Sequence, residues 1–311
     1  MPAEAETPPA AAGPRAATVK HRFFSPARVW ALATNTLTEL IRLKVFYFLL
    51  IFALLQIGSS LLFVRFTFQG QFQMLKDTSL GAMSIFTSML AILATANLLP
   101  KDVEDRTLYT ILAKPVPRFE YLTGKLLGVL LLLLISIVLM GAMFALVLWW
   151  RVHVVADEIT GGADSAEATS QGLRDLYASA YDPGLWAGGL IIYAKAALLA
   201  SLTLFVSTFA TSSIFTIIVS VAVFFIGQLQ GTARDYWQGT GALTSNGLLD
   251  VVFFKPLVLI FPDLQAFNLV EEVIAGHHVA ALLVAKTVGL GATYVLVYLF
   301  AGYFMFARRE I

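Results

Sequence analysis

The sequence predicts an all-α membrane protein that crosses the bilayer several times. Of its 311 residues, 58% are hydrophobic and only 13% are charged, and the mean hydropathy is +0.79. Ordinary soluble domains carry about twice that charged fraction. A second observation is that several apolar runs reach the roughly 20 residues that a helix needs to cross a bilayer. A soluble fold is therefore excluded. The net charge of +1 gives no reason to expect a nucleic-acid partner.

The N-terminal part of the chain divides into a tail and a helix. Residues 1–24 are rich in Ala and Pro and contain no apolar run, so we expect a disordered cytoplasmic tail rather than a signal peptide. Residues 25–44 open with Ser25 and Pro26, a favourable helix start, and their apolar residues recur at helical spacing. This pattern predicts an amphipathic helix on the inner leaflet. A cytoplasmic extension of the first span fits the same pattern.

Residues 25–311 are predicted to form one transmembrane domain with six spans. The predicted spans are 45–66, 79–99, 126–150, 186–209, 212–230 and 280–306. Two longer outer loops, 151–185 and 231–279, join spans on the opposite side from the termini. Within the second loop, the apolar stretch 248–262 is short and contains Asp250, Lys255 and Pro256. It is interpreted as a re-entrant or interfacial element before the last span.

The distribution of Lys and Arg predicts the orientation. Thirteen of these residues fall in the N-terminal region, the 101–125 loop and the C-terminus, against six on the other side. Cytoplasmic loops carry the excess of positive charge. Both termini and the 101–125 loop are therefore expected in the cytoplasm.

The segment 101–125, KDVEDRTLYTILAKPVPRFEYLTGK, is unusually charged for its position between two apolar spans. Residues 101–112 can form a short helix with one apolar face and acidic residues in its first turn, where the helix dipole favours anions. Pro115 requires the helix to end before it. The result is a compact unit whose apolar patch could dock another protein. It could equally pack against its own helix ends.

The motif in this segment resembles the signature of the type-2 ABC exporter permeases, E-x-x-G-T-L followed by L-L-x-x-P-V-S-R and G-K. The residues that carry the resemblance are Glu104, Arg106, Thr107, Leu108, Leu112, Pro115, Pro117, Arg118 and Lys125. Arg106 stands at the usual glycine position and Pro117 at the usual serine position. The arginine is similar to that of the branch that includes copper-loading and gliding-type transporters.

This resemblance implies a partner-binding function. The segment would be the coupling element that fits a cleft on a nucleotide-binding subunit, with Ile111 joining Leu108 and Leu112 in its apolar contact. No G-x-x-x-x-G-K-[ST] phosphate loop occurs in the chain, so ATP and Mg²⁺ would bind to the partner and no cofactor to this chain. The resemblance further implies two ATPase subunits, a second permease copy (identical or a sister chain) and a location among the lipids of the bacterial inner membrane.

A possible transport pathway is suggested by a few further residues. Lys195 lies inside the fourth predicted span, and an intramembrane charge favours a functional role, although a snorkelling lysine is the alternative. Phe253, Phe254 and Pro256 could form a lip over an outer exit, or simply belong to an interfacial aromatic belt. No catalytic or metal-binding constellation appears, because the pair His277 and His278 has no further ligand nearby in sequence.

Two other classes of function fit parts of the sequence. A membrane scaffold could transmit ATPase motion to a periplasmic partner without moving substrate, in which case the outer loops would carry a partner site. A secondary transporter would need a buried carboxylate relay or an internal repeat, and the few Asp and Glu residues cluster in the loops. An exporter permease without its own ATPase site is the function that the sequence favours.

Overall fold

The computed structural model is helical nearly throughout the residues that it describes. These are 25–42, 44–59, 68–104, 117–162, 166–181, 184–240, 262–267 and 281–308. The helices are α1 (Pro26–Ile41), α2 (Lys44–Ser59), α3 (Phe68–Ala96), α4 (Leu98–Glu104), α5 (Arg118–Gly162), α6 (Ala166–Ala180), α7 (Gly184–Phe209), α8 (Ser213–Thr240) and α9 (Ala281–Arg308), with a 3₁₀ turn at Leu264–Phe267.

The described residues include five helices that are long and apolar enough to cross a membrane. They contain α3 with α4, α5, α7, α8 and α9, and they overlap five of the six predicted spans. The first predicted span is helical in α2 as far as Ser59, and the rest of it lies outside the described residues. The prediction of an all-α polytopic membrane protein is confirmed.

Helix α7 lies at the centre of the bundle. It packs against α3, α5, α8 and α9, and most of its residues are buried. Its interior is rich in alanine, serine and threonine, small residues that let neighbouring backbones approach closely where lipid offers no hydrophobic driving force. In contrast, α8 and α9 bury only about a fifth of their most apolar windows, 22% each, so their outer faces remain apolar as a bilayer requires.

Helix α5 is longer than the span predicted at 126–150. It begins at Arg118 and ends at Gly162, so both flanking segments continue the membrane helix. After the C-terminal end of α5, α6 folds back on it, and the close approach of Gly172 to Ile159 brings the two helices together. The stretch 151–185, predicted to be a solvated loop with room for one short helix, is helical at 151–162 and 166–180, so that α5 and α6 form a hairpin. Its polar composition reflects exposure to water rather than a lack of structure.

The hairpin of α5 and α6 is connected to the membrane bundle by a buried lysine. Lys76 in α3 is only 5% exposed, and its Nζ donates to the carbonyl of Ser179 at 2.7 Å. Ser179 lies in the last turn of α6, where unpaired carbonyls favour a cation. Leu176 on the same helix is also buried, so the hairpin has an apolar contact as well as a polar one.

Helix α1 packs directly against the beginning of α5. It ends at Ile41, and a turn at Arg42 separates it from α2. Its buried residues are Val29, Ala33, Thr36 and Leu40, while Trp30 is 56% exposed. The turn favours the prediction of a separate amphipathic helix over an extension of the first span.

Two glycines of α5, four residues apart, make this contact possible. A Cβ at Gly124 would lie 2.6 Å from the Cβ of Leu32, and one at Gly128 would lie 2.7 Å from the Cβ of Thr36 and 2.8 Å from the carbonyl oxygen of Ala33. Real Cβ atoms do not approach so closely, so α1 could not lie where it does against any other residue at these positions.

The 3₁₀ turn Leu264–Phe267, which precedes α9 in the chain, lies within the bundle. Leu264 and Phe267 are buried, and a Cβ at Gly227 of α8 would lie 2.8 Å from Leu264. Gly291 of α9 lies against Phe267 and is about 15 Å along the helix from Ala281, at 1.5 Å per residue. The segment that follows the predicted re-entrant stretch thus reaches membrane depth. Residues 248–261 themselves lie outside the described residues.

We expect the substitution Gly128→Ala to displace α1 and lower the thermal unfolding midpoint, at a cost of about 1–3 kcal/mol, because the added methyl group meets backbone as well as side chain. Gly141→Ala in the same helix is the control, since its Cβ would meet nothing closer than 4.0 Å. Thermal unfolding of the detergent-solubilised chain measures both. Equal midpoints for the two variants would contradict the close α1–α5 contact.

Candidate functional site

The structure describes the two ends of the predicted coupling segment 101–125. Helix α4 begins at Leu98 and ends at Glu104, and α5 begins at Arg118 just after Pro117. The predicted contact residues Arg106, Thr107, Leu108, Ile111, Leu112 and Pro115 lie outside the described residues, as does the side chain of Glu104. The surroundings of the segment can therefore be described from its two ends.

A buried ion pair joins the two ends to each other. Lys125 of α5 is only 4% exposed, and its Nζ lies 2.8 Å from Oδ2 of Asp102 in α4. The hydroxyl group of Tyr121, one turn earlier in α5, donates to the same carboxylate. Both charges are thus paired and hydrogen-bonded, as ions removed from water must be.

Helix α1 joins this cluster through Glu39. One oxygen of its carboxylate lies 2.7 Å from Nζ of Lys101, and the other lies 3.8 Å from Nζ of Lys125. The pair with Lys101 is largely exposed, since the two side chains are 48% and 29% exposed. It therefore contributes little stability, whereas the pair of Lys125 and Asp102 is buried away from water.

A second anchor holds the beginning of α1 against α5. The carboxylate of Glu120 is fully buried, and it accepts a hydrogen bond from the backbone N–H of Ser25 at 2.6 Å. Arg28 lies against the same carboxylate, with Nε 2.8 Å from one oxygen and a 3.0 Å hydrogen bond from its terminal nitrogen to the other. Glu120 is in the first turn of α5, where the helix dipole also favours a negative charge.

Arg118 connects the same region to the last helix. Its guanidinium donates to the carbonyl of Ala307 at 2.7 Å and to that of Phe306 at 3.2 Å. These carbonyls belong to the final turn of α9, which has no further turn to satisfy them. The ring of Phe306 also lies 5.9 Å from the guanidinium carbon, within cation–π range.

The predicted partner-binding residues thus separate into two groups by position. Arg118 and Lys125 contact other parts of this chain, and Pro117 lies immediately before α5, where its carbonyl accepts from the N–H of Tyr121. The residues of the 105–116 stretch lie between these anchored ends. Sequence reasoning did not single out four residues of this region, Glu39, Asp102, Glu120 and Tyr121. The three acidic residues could have been found, because charged residues next to apolar spans need partners.

Lys195 lies in the middle of the bundle. It is 4% exposed, its Nζ lies 3.5 Å from the hydroxyl of Ser84 in α3, and it stands 6.0 Å from the ring of Phe224 in α8. It is enclosed by neighbouring helices, which disfavours the snorkelling alternative. The preceding residue, Ala194, and Phe267 of the 3₁₀ turn both lie against Gly291 of α9. Phe253, Phe254 and Pro256 of the predicted pathway lie outside the described residues.

The described residues contain no group of three or more His, Asp or Glu side chains that could hold a metal ion. A family model described as ABC-2 family transporter protein matches residues 30–311, a range that begins within α1 and includes every later helix. No curated protein matches the chain.

The buried ion pair yields a stability prediction. Lys125→Met removes one partner and leaves the Asp102 carboxylate buried beside Tyr121, so we expect a loss of about 3–5 kcal/mol in the free energy of unfolding. The double variant Lys125→Met with Asp102→Asn should recover much of it. Lys101→Met is the matched control, because its exposed pair is worth less than about 1 kcal/mol. A Lys125→Met variant as stable as Lys101→Met would contradict the assignment.

Lys195 yields a second prediction, which separates function from stability. Lys195→Met keeps the volume and removes a buried charge, so we expect the thermal unfolding midpoint to stay the same or rise. Transport activity should nevertheless fall, by about tenfold or more, because a charge enclosed within the bundle is removed. Lys286→Met, at an exposed position of α9, is the control. Full activity in the Lys195 variant would exclude a pathway role.

Proposed function

The chain belongs to the ABC-2 family of transporter proteins, and from this premise we propose that it is the permease subunit of an ATP-driven exporter. A separate nucleotide-binding subunit binds ATP and Mg²⁺, because the sequence has no phosphate-binding loop. Two such subunits work with two permease chains, either identical or sister chains. The assembly lies in the bacterial inner membrane with both termini and the 101–125 segment in the cytoplasm.

The observation that carries this proposal is the anchoring of both ends of the 101–125 segment. Asp102 and Lys125 join its ends, Glu39 and Glu120 bind them to α1, and Arg118 binds them to α9. A displacement of residues 105–116 would therefore be transmitted to α1, α5 and α9 together. A loop that merely joined two spans would not need such connections.

The roles of the predicted site residues follow from their positions. We assign docking on the ATPase to Glu104, Arg106, Thr107 and Ile111, with Leu108 and Leu112 completing the apolar face. Pro115 and Pro117 set the end of the docking helix. Arg118 and Lys125 are instead assigned to transmission, because both bind groups of this chain.

The transport pathway is proposed to pass close to Lys195. Support comes from its burial between α3 and α8 and from the position of the outer turn next to it. The stretch that contains Phe253, Phe254 and Pro256 leads into this turn, which suits a lip over the outer exit. We further infer from Arg106 that the chain belongs to the copper-loading and gliding-type branch of the family.

The scaffold alternative draws support from one observation. The outer segment 151–185 is a helical hairpin tied to α3 by Lys76, so it could present a fixed surface to a periplasmic partner. The exporter is favoured because the scaffold gives no role to a buried lysine in the middle of the bundle. Retention of coupled ATPase activity without any export, in the presence of an outer partner, would favour the scaffold.

Docking and transmission can be separated by paired variants. Leu108→Pro breaks the docking helix, so we expect it to abolish co-purification of the ATPase subunit. Lys125→Met with Asp102→Asn should retain the ATPase subunit, because docking residues are untouched, and should lose the stimulation of ATPase activity by the permease. Co-purification and ATPase rates of the complex relative to the isolated ATPase subunit measure both effects. A Leu108→Pro complex that assembles and is stimulated would disprove the coupling role.

A further inference from the structure

A polar cleft lies between α1 and α4. It is an open space of about 300 Å³, and it is lined by Asn35, Thr38, Glu39, Arg42 and Lys101. Asn35, Thr38 and Glu39 lie on one face of α1, and Arg42 at its C-cap continues that face. The Asn35 amide therefore stands beside two cations, Arg42 and Lys101, and the Glu39 carboxylate that pairs with Lys101 lines the same cleft.

The charges around the cleft do not balance. Glu39 and Asp102 are matched by Lys101 and Lys125 in the ion-pair cluster. Arg42 is exposed, and among the residues that the structure describes it forms no ion pair with a carboxylate. The cleft thus carries one uncompensated positive charge, whose planar donor group suits the oxygens of a phosphate.

The position of Arg42 relative to the bilayer favours a lipid as the source of that phosphate. Arg42 stands two residues before α2, which begins at Lys44 and is hydrophobic without interruption from Val45 to Leu55. It therefore lies at the level where a helix enters the headgroup region. The exposed Trp30 of α1 also suits an interfacial helix.

We propose that this cleft binds the phosphate group of an anionic phospholipid headgroup. Arg42 and Lys101 bind the phosphate oxygens, and Asn35 is the neutral donor beside them, because the Thr38 hydroxyl already donates to the carbonyl of Thr34 at 2.8 Å. The bound lipid links the end of α1 to α4 and so adds to the anchoring of the cytoplasmic segment. The binding itself does not depend on the proposed transport function, and only the assignment to the inner leaflet rests on the proposed orientation.

Lipid binding by the full detergent-solubilised chain provides the test. Phosphatidylglycerol and phosphatidylcholine are titrated in turn, and bound lipid is counted by native mass spectrometry. We expect preferential binding of phosphatidylglycerol, weakened about tenfold by Arg42→Gln, since charge-assisted hydrogen bonds are lost. Asn35→Ala should weaken it severalfold without any change in charge. Arg308→Gln removes an exposed cation at the end of α9 and should leave the affinity unchanged.

Three results would overturn the proposal. One is an Arg42→Gln variant that binds phosphatidylglycerol as the parent chain does. Another is an equal loss in Arg308→Gln, which would indicate general attraction to positive charge rather than a site. The third concerns the source of the phosphate: if glycerol 1-phosphate binds as tightly as phosphatidylglycerol and depends equally on Arg42, the ligand is a soluble phosphate. The midpoint of thermal unfolding without added lipid should be the same for Arg42→Gln and the parent chain, which excludes misfolding.

Discussion

The buried pair of Lys125 and Asp102 is the interaction on which the junction of α1, α4 and α5 depends. Removing two charges from water costs several kcal/mol, and only a well-aligned, hydrogen-bonded ion pair offsets that cost. Such a pair contributes modest net stability, yet it penalises any arrangement in which α4 and α5 separate. Tyr121 strengthens this constraint by donating to the same carboxylate. The pair therefore acts mainly by fixing position.

Close packing and charge pairing reinforce each other along α5. Gly124 precedes Lys125 in the sequence, and the absence of a side chain at Gly124 and Gly128 lets α1 lie against the helix. That approach places Glu39 within 3.8 Å of the Lys125 ammonium group. A larger residue at either glycine would move α1 outward, and the outer part of the ion cluster would separate with it. The same small sequence G-K-x-x-G thus supplies both the steric and the electrostatic part of the contact.

The sequence predicted the helical class and most spans because an apolar run of about 20 residues has few alternatives in a bilayer. It could not place the ends of α5, since the residues 151–162 are compatible with both helix and loop until α6 packs on them. The site was predicted as a segment rather than as a set of contacts. The partners of Lys125 and Arg118 come from α4, α1 and α9, and no local pattern specifies contacts between residues so distant in sequence.

The membrane core and the junction of α1, α4 and α5 are stabilised in different ways, and the contrast bears on how motion could pass between them. In the core, the buried hydroxyls of Thr95, Ser201 and Thr203 donate to carbonyls of their own helices. A hydroxyl satisfied within its helix does not bind the neighbouring one, so small relative shifts of α3 and α7 break no hydrogen bond of these groups. At the junction of α1, α4 and α5, ion pairs cross between helices and resist such shifts. The junction would therefore move as one body, while the core could repack around Lys195.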